Sequence, residues 1–257
     1  MLAKLKELGL DDNTIVMYST DKRRGWRWAG ALLLATIVAV GVACPARAGD
    51  SRTEFVPEVD AYVKLGERTR LFLSGALSQG LSDGATDGTV GVHLDVTLMP
   101  VFRPRLREAA WERERYLWVR VGYLLAGSLD EPDNTPLEHR MVFEATGRAA
   151  LPFEVWLVTR ERVELRDIGG EVSARFRSRL RLEREVTVGG VTLVPYAQAE
   201  VSYDTRFGAW NRQRYQAGAE IEITGSWRIE PYYARQEDQR SSVAHVNRIG
   251  LILKYYR

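Results

Sequence analysis

The chain has 257 residues and a formal net charge of +2 at pH 7. Seven of its 36 Lys and Arg residues and four of its 34 Asp and Glu residues lie in residues 1–48, which leaves 29 basic and 30 acidic residues after them. This balance gives no indication of nucleic-acid binding. The single cysteine is Cys44, so residues 49–257 cannot form a disulfide or a zinc–thiolate site, and their three scattered histidines make no metal motif. No cofactor is predicted.

Residues 22–48 have the pattern of a secretory signal peptide. A basic segment precedes the apolar run Ala29–Ala43, and Ala46 and Ala48 form a small-residue cleavage site before Gly49. The apolar run is shorter than the roughly 20 residues that a transmembrane helix needs. We predict cleavage after Ala48 and export through the periplasm. An uncleaved membrane anchor and a lipoprotein are the alternatives.

Residues 1–21 precede this leader, although a signal peptide normally begins at the N-terminus. They predict a short helix closed by Gly9 and a strand over Thr14–Ser19. The segments KLKELG and DNTIV, followed by Asp21, resemble a fragment of the arylsulfatase family, in which the matching aspartate is a metal ligand. The nucleophile motif of that family is missing, so we infer no sulfatase activity. We interpret the segment as a gene-fusion or start-site artefact outside the fold.

From residue 49 onward, apolar and polar residues alternate in eleven segments, which is the pattern of β-strands. The predicted strands are Phe55–Leu65, Thr69–Gln79, Thr89–Leu98, Tyr116–Leu125, Glu138–Ala150, Val155–Arg166, Val172–Glu185, Val191–Asp204, Asn211–Ile223, Trp227–Gln236 and a closing strand after Ser242. Most have about 10–14 residues, whereas strands of soluble proteins average 5–6, and this length crosses a bilayer at a tilt. Short and long connections alternate between them, as in outer-membrane barrels.

The chain is therefore predicted to be all-β, with an antiparallel transmembrane β-barrel over residues 49–257. Bacterial single-chain barrels have an even number of strands. The eleven segments then indicate one strand missed or over-counted, so we expect twelve strands, with ten as the next choice. The error is expected in residues 101–114 or at the N-terminal edge of the barrel.

The hairpin over residues 155–185 carries the clearest difference between two faces. Apolar residues from Val172 to Leu182 share one face, and the arginines from Arg175 to Arg181 share the other. In a membrane barrel the apolar face meets lipid and the charged face lines the lumen. The predicted lumen residues are Arg140, Glu144, Arg160, Arg162, Glu164, Arg166, Arg175, Arg177, Arg179, Arg181, Glu200, Arg212, Arg214, Glu220 and Glu222. Because a narrow barrel cannot leave charges unpaired, we expect cross-strand Arg–Glu ladders among them.

The end of the chain resembles the terminal strand signal of outer-membrane proteins. Arg248, Gly250, Leu253 and Tyr255 match its polar, glycine and hydrophobic positions, although the chain ends on Arg257 and not on an aromatic residue. This resemblance implies that the outer-membrane assembly machinery recognises the strand.

Motifs over residues 54–257 resemble an uncharacterised family of Gram-negative outer-membrane barrels, a domain of unknown function. The motifs are Glu138 with Arg140, Arg160–Arg166, Arg175–Arg181, Pro195–Glu200, Arg214–Gly218, Pro231–Tyr233 and His245–Tyr255. The resemblance implies a porin-like barrel in contact with the lipid of the outer membrane, and it implies no reaction.

Three functions are open at this point. The first is a structural barrel whose lumen is filled by paired Arg and Glu side chains. The second is a small channel or binder for anionic or amphipathic solutes, selected by an excess of arginine. The third is an outer-membrane lipid hydrolase, for which His93 and Asp95 on one strand face are weak candidates without an evident serine partner, so no catalytic residue is assigned. The oligomeric state is open too.

Overall fold

The computed structural model describes residues 50–98, 116–130, 135–239 and 243–257. The predicted leader with Ala46, Ala48 and Gly49, the arylsulfatase-like segment and residues 101–114 lie outside this part. The described strands are β1 (Asp50–Lys64), β2 (Thr69–Gly80), β3 (Thr86–Thr97), β4 (Leu117–Ser128), β5 (Glu138–Leu151), β6 (Val155–Ile168), β7 (Glu171–Arg184), β8 (Val186–Val188), β9 (Val191–Asp204), β10 (Ala209–Thr224), β11 (Trp227–Asp238) and β12 (Val243–Tyr256), with a single 3₁₀ turn at Pro152–Glu154. No helix in these ranges is long and apolar enough to cross a membrane.

Eleven of the twelve strands close into a ring. Neighbours in the chain pair antiparallel from β1 to β7, β7 then pairs with β9, and the order continues to β12. The ring closes where β12 pairs with β1 in parallel, with Val59 opposite Leu253 and Val56 opposite Gly250. One parallel pair is required, because strands that alternate in direction around a ring can all be antiparallel only when their number is even.

The strand count differs from the prediction in one respect. A barrel of twelve strands was predicted. The described residues form twelve strands, but β8 pairs only with β9 and stays outside the ring, so the barrel itself has eleven. The eleven alternating segments of the sequence are the eleven ring strands, so the expectation that one strand had been missed or over-counted was wrong, and the ring is odd in number. Residues 186–188 lie in the short connection between two predicted strands, Val172–Glu185 and Val191–Asp204. They form the extra strand by folding back on β9 at Gly189 and Gly190, whose φ angles are 59° and 83°.

The ring is apolar on its outside and polar on its inside, which is the reverse of a soluble protein. Exposed apolar side chains cover the outside, among them Val59, Leu73, Val92, Val121, Phe143, Phe176, Val201, Ile249 and Leu253. Buried polar side chains fill the inside, among them Asp60, Arg70, Asp95, Arg120, Glu144, Glu164, Arg175, Glu200, Glu230 and Lys254. This arrangement is that of outer-membrane-type barrels, in which lipid-facing and lumen-facing residues alternate along each strand.

A row of inward-facing rings crosses the parallel seam. Tyr256 on β12 stacks on Tyr62 on β1 at a centroid distance of 4.8 Å, and Tyr62 stacks on Phe72 on β2 at 4.7 Å. The row ends at His93 on β3, whose ring is 5.2 Å from Phe72. Such stacked pairs add to stability beyond the area that they bury, so the row joins the first and last strands from inside.

Candidate functional site

The lumen contains a cavity of about 870 Å³ that is lined by side chains from all eleven ring strands. It extends from residues near the longer connections, such as Asp87 and Arg212, to residues near the shorter turns, such as Arg148 and Lys254. The cavity is therefore the axial space of the barrel and is the candidate functional site.

The structure places most of the predicted lumen residues on this cavity. Arg140, Glu144, Arg160, Arg162, Arg175, Arg177, Arg179, Arg181, Glu200, Arg212, Arg214 and Glu220 line it. Glu164 and Arg166 also point inward, but they are buried in the wall beneath these side chains and are absent from the lining. Glu222 differs, because it is exposed close to the turn between β10 and β11.

The middle of the wall is a connected network of three carboxylates and three arginines. Glu200 accepts hydrogen bonds from Arg160 Nη2 at 2.6 Å and from Arg177 Nη2 at 2.5 Å. Glu164, which is 1% exposed, accepts one from Arg177 Nη1 at 2.8 Å. Glu144 accepts one from Arg162 Nε at 2.8 Å. These charge-assisted bonds link β5, β6, β7 and β9 across the lumen wall.

A second network lies toward the longer connections. The fully buried Asp204 accepts hydrogen bonds from Arg166 Nη1 at 2.7 Å and from Arg175 Nη2 at 2.8 Å. Arg166 also donates through Nε to Glu138, which accepts a further bond from Arg140 Nη2 at 2.6 Å. Asp204 and Glu138 were not among the predicted site residues, although both occupy inward positions of their strands.

A third network lies toward the shorter turns. Lys254 donates to Glu220 at 2.6 Å and is 2.5 Å from Glu230, and Arg228 Nη1 donates to Glu220 at 2.7 Å. The Tyr196 hydroxyl donates to Glu230 as well. Lys254 is one of the two lysines after residue 48, and this contact shows that it belongs to the ion-paired wall.

His93 and Asp95, the two weak hydrolase candidates, contact different groups in the lumen wall. Asp95 accepts hydrogen bonds from Arg70 Nε at 2.9 Å and from Arg120 Nε at 2.6 Å. The His93 ring packs against Gly122, where a Cβ atom would be 2.0 Å from Nδ1. A Cβ atom placed on Gly91 would be 2.8 Å from Ser74 Oγ and 2.7 Å from His93 Nε2. Both atoms therefore lie over this glycine.

Arg70, Arg120 and Ser74 were not among the predicted site residues. Period-two alternation places all three on inner faces, but β2 and β4 carry few charges and show no row of arginines like that of the β6–β7 hairpin. Within the described ranges, no group of three or more His, Cys, Asp or Glu side chains could hold a metal ion.

The terminal-strand residues divide between the two faces. Arg248 Nε donates to Glu54 Oε2 at 2.8 Å across the parallel seam, inside the barrel. Gly250 also faces inward, whereas Leu253 is exposed on the outside. Tyr255 packs against Trp227 with a centroid distance of 4.7 Å.

The surface that faces the cavity is cationic. Fifteen Arg and Lys residues line it, against ten Asp and Glu residues. The most deeply buried carboxylates, Asp95, Glu164 and Asp204, lie behind the arginines that they bind and do not reach the cavity. Guanidinium groups present several donors at once, so an arginine bound from behind still offers N–H groups to the lumen.

These features define a closed, outer-membrane-type β-barrel with an ion-paired wall and a cationic lumen. The chain belongs to the DUF2490 family, described as a protein of unknown function, which matches residues 108–247 and so more than half of the sequence. A search of curated proteins finds no match.

Among solved structures, the chain is similar to the beta domain of the Bordetella autotransporter Brka. The two share 12% sequence identity with a TM-score of 0.43, over 73% of this chain and 83% of that chain. A likeness this distant says nothing about what this chain binds.

Proposed function

We propose that this protein is an outer-membrane β-barrel whose narrow lumen admits small anions. The observation that carries the proposal is the lining of the cavity, in which cationic side chains outnumber acidic ones because the most buried carboxylates sit behind their arginines. Rings of Arg and Lys are the means by which pores select anions. A purely structural barrel would need the same ladders, but it would not need a cationic cavity that extends along its axis.

The location in the outer membrane rests on the outer surface of the ring. Apolar side chains occupy the outward positions, and aromatic pairs lie near both ends of the barrel wall. Tyr203 and Trp210, near a longer connection, have centroids 5.6 Å apart, and Trp227 and Tyr255 form the pair near a shorter turn. Aromatic residues at both ends of an apolar band are typical of barrels that contact lipid at two interfaces.

The predicted export and assembly steps fit this location. A signal peptide over residues 22–48 would direct the chain to the periplasm, and β12 would present the terminal pattern to the outer-membrane assembly machinery. In this terminal pattern, Leu253 and Tyr255 face outward, and Arg248 and Gly250 face inward. The outward residues would be open to contact by the assembly machinery before the ring closes.

Planar-bilayer recording of the purified full chain tests the proposed function. In a KCl gradient we expect a small current whose reversal potential lies toward that of chloride. Arg179→Gln removes a lining charge and is expected to shift the reversal potential toward zero. Arg68→Gln, in the exposed turn between β1 and β2, is the control and is expected to leave it unchanged. A barrel that inserts and gives no current, or a current carried by potassium, contradicts the proposal.

A further inference from the structure

Three arginines lie in one row across neighbouring strands of the lumen wall. Arg160 on β6 is directly opposite Arg179 on β7, and Glu200 on β9 lies between Arg179 and Arg214 on β10. All four side chains line the cavity. Neighbouring strands are about 4.8 Å apart, so Arg160 and Arg214 are separated by roughly 14 Å along the wall, and their side chains can approach one bound group by extending toward each other into the lumen. Arg160, Arg179 and Arg214 are called the arginine row below.

The one carboxylate in this row does not neutralise it. Glu200 binds Arg160 and, from the next position along β7, Arg177 through both Nε and Nη2. Arg179 faces Glu200 in register but has no hydrogen bond or ion pair with any residue in the described part of the chain. Arg214 donates to the neutral Gln216 at 2.9 Å and has no ion pair within the same ranges.

Ion pairing within the central network leaves two arginines over, although the field of Glu58, which also lines the cavity, reaches Arg214. In the central network, the three carboxylates Glu144, Glu164 and Glu200 are matched by the three arginines Arg160, Arg162 and Arg177. Arg179 and Arg214 stand beside this network without an ion-paired carboxylate among the described residues. Like charges at directly opposed positions destabilise a sheet, and Arg160 and Arg179 are such a pair, so the arrangement gains stability from a bound anion.

The donors of the arginine row point to the same conclusion. The Nε atoms of Arg160, Arg179 and Arg214 are buried from solvent and have no acceptor in the described residues. A buried donor without an acceptor carries a desolvation cost, and the cost is larger when the donor is charged. An oxyanion in the cavity would compensate the charge of these side chains through the N–H groups that they present to the lumen.

We propose that the arginine row is a binding site for a phosphate or sulfate group, carried by a free ion or by a small ester. The inference rests on the proposed anion-admitting lumen and names the kind of anion that the lumen holds. A dianion can pair with both of the arginines that the central network leaves without an ion pair. A tetrahedral group presents oxygens in several directions and can meet three guanidinium forks, whereas a carboxylate presents two oxygens in one plane and suits one or two.

Titration calorimetry on the folded full chain in zwitterionic detergent tests this site. Inorganic phosphate, sulfate and glycerol 3-phosphate are titrated at constant ionic strength, with chloride and acetate as comparison anions. We expect the dianions to bind more tightly than chloride or acetate. Arg179→Gln should weaken phosphate binding by about tenfold or more, because it removes charge-assisted hydrogen bonds. Arg68→Gln should bind as the parent does. Tighter binding of glycerol 3-phosphate than of inorganic phosphate would assign the site to an esterified group, and the reverse order to a free ion.

Urea unfolding of the same proteins separates ligand binding from a structural role. We expect phosphate to raise the unfolding midpoint of the parent and of Arg68→Gln, and to leave that of Arg179→Gln unchanged. Equal responses of all three proteins to phosphate would overturn the site. A lower unfolding midpoint of Arg179→Gln than of the parent in the absence of any oxyanion would overturn it as well. A chloride current without phosphate binding would leave the proposed function standing and remove the site. Phosphate binding without any current would leave the site standing and remove the proposed function.

Discussion

The ring of Tyr232 on β11 lies across Gly250 on β12, where a Cβ atom would be 2.0 Å from Cζ of the tyrosine. The two residues are direct partners in the sheet and both face the lumen. The glycine of the terminal strand pattern therefore has a packing reason inside this barrel, because any side chain at that position would occupy the place of the tyrosine ring.

Gly250→Ala is expected to destabilise the barrel, by about 1–3 kcal/mol, because overpacking forces the ring out of its position. The free energy of unfolding in urea, measured in detergent micelles, checks this. Gly75→Ala is the matched control, since a Cβ at this strand glycine on β2 meets no atom within 4 Å. Equal effects of the two substitutions would contradict the proposed packing. Tyr232→Ala combined with Gly250→Ala should lose less stability than the two single changes added together.

Asp204→Asn should destabilise the wall strongly. The side chain is fully buried and accepts bonds from Arg166 and Arg175 through Oδ2, whereas Oδ1 accepts from the backbone N–H of Arg206 at 3.0 Å. Asparagine can keep the second contact but removes the charge, and breaking a buried ion pair costs about 3–5 kcal/mol. The free energy of unfolding measures the loss. Glu171→Gln, at an exposed position of β7, is the control, and a similar loss there would contradict the role of burial.

The outer surface of β7 should show the depth dependence of a lipid-facing strand. Phe176 lies near the middle of the strand, and Val172, which is 78% exposed, lies next to its first residue. Phe176→Arg is expected to cost about 2–4 kcal/mol, and Val172→Arg about 0–1 kcal/mol. Unfolding in lipid vesicles measures both values. An equal cost at the two positions would show that this face does not cross a bilayer.

The parallel seam between β1 and β12 can be tested by cysteine cross-linking in a Cys44→Ser background. Val59 pairs with Leu253 and Phe55 pairs with Ile249. The double variants Val59→Cys with Leu253→Cys and Phe55→Cys with Ile249→Cys should both react with a short cross-linker, as followed by gel mobility. Val59→Cys with Ile249→Cys should not react, because four residues of strand span about 13 Å. In an antiparallel seam at most one of the first two pairs would be adjacent.

Local features of the sequence were sufficient to predict the ring strands and their faces. Alternation with period two depends only on neighbouring residues in the chain, so the inward side of Arg175 and Arg177 and the outward side of Phe176 could be read directly. The turn between β6 and β7 was also readable, because Gly169 and Gly170 adopt positive φ angles of 60° and 89° that a tight hairpin turn needs.

The closure of the ring and the partner of each charge were decided by tertiary structure. Nothing local in β1 or β12 shows that they pair in parallel, because that contact joins residues almost 200 positions apart and follows from the number of strands between them. In the same way, Arg177 and Arg179 look alike in the sequence, yet Glu200 binds Arg177 and leaves Arg179 facing the cavity. A carboxylate has few acceptor sites, and which arginines reach them depends on register and side-chain length across three strands.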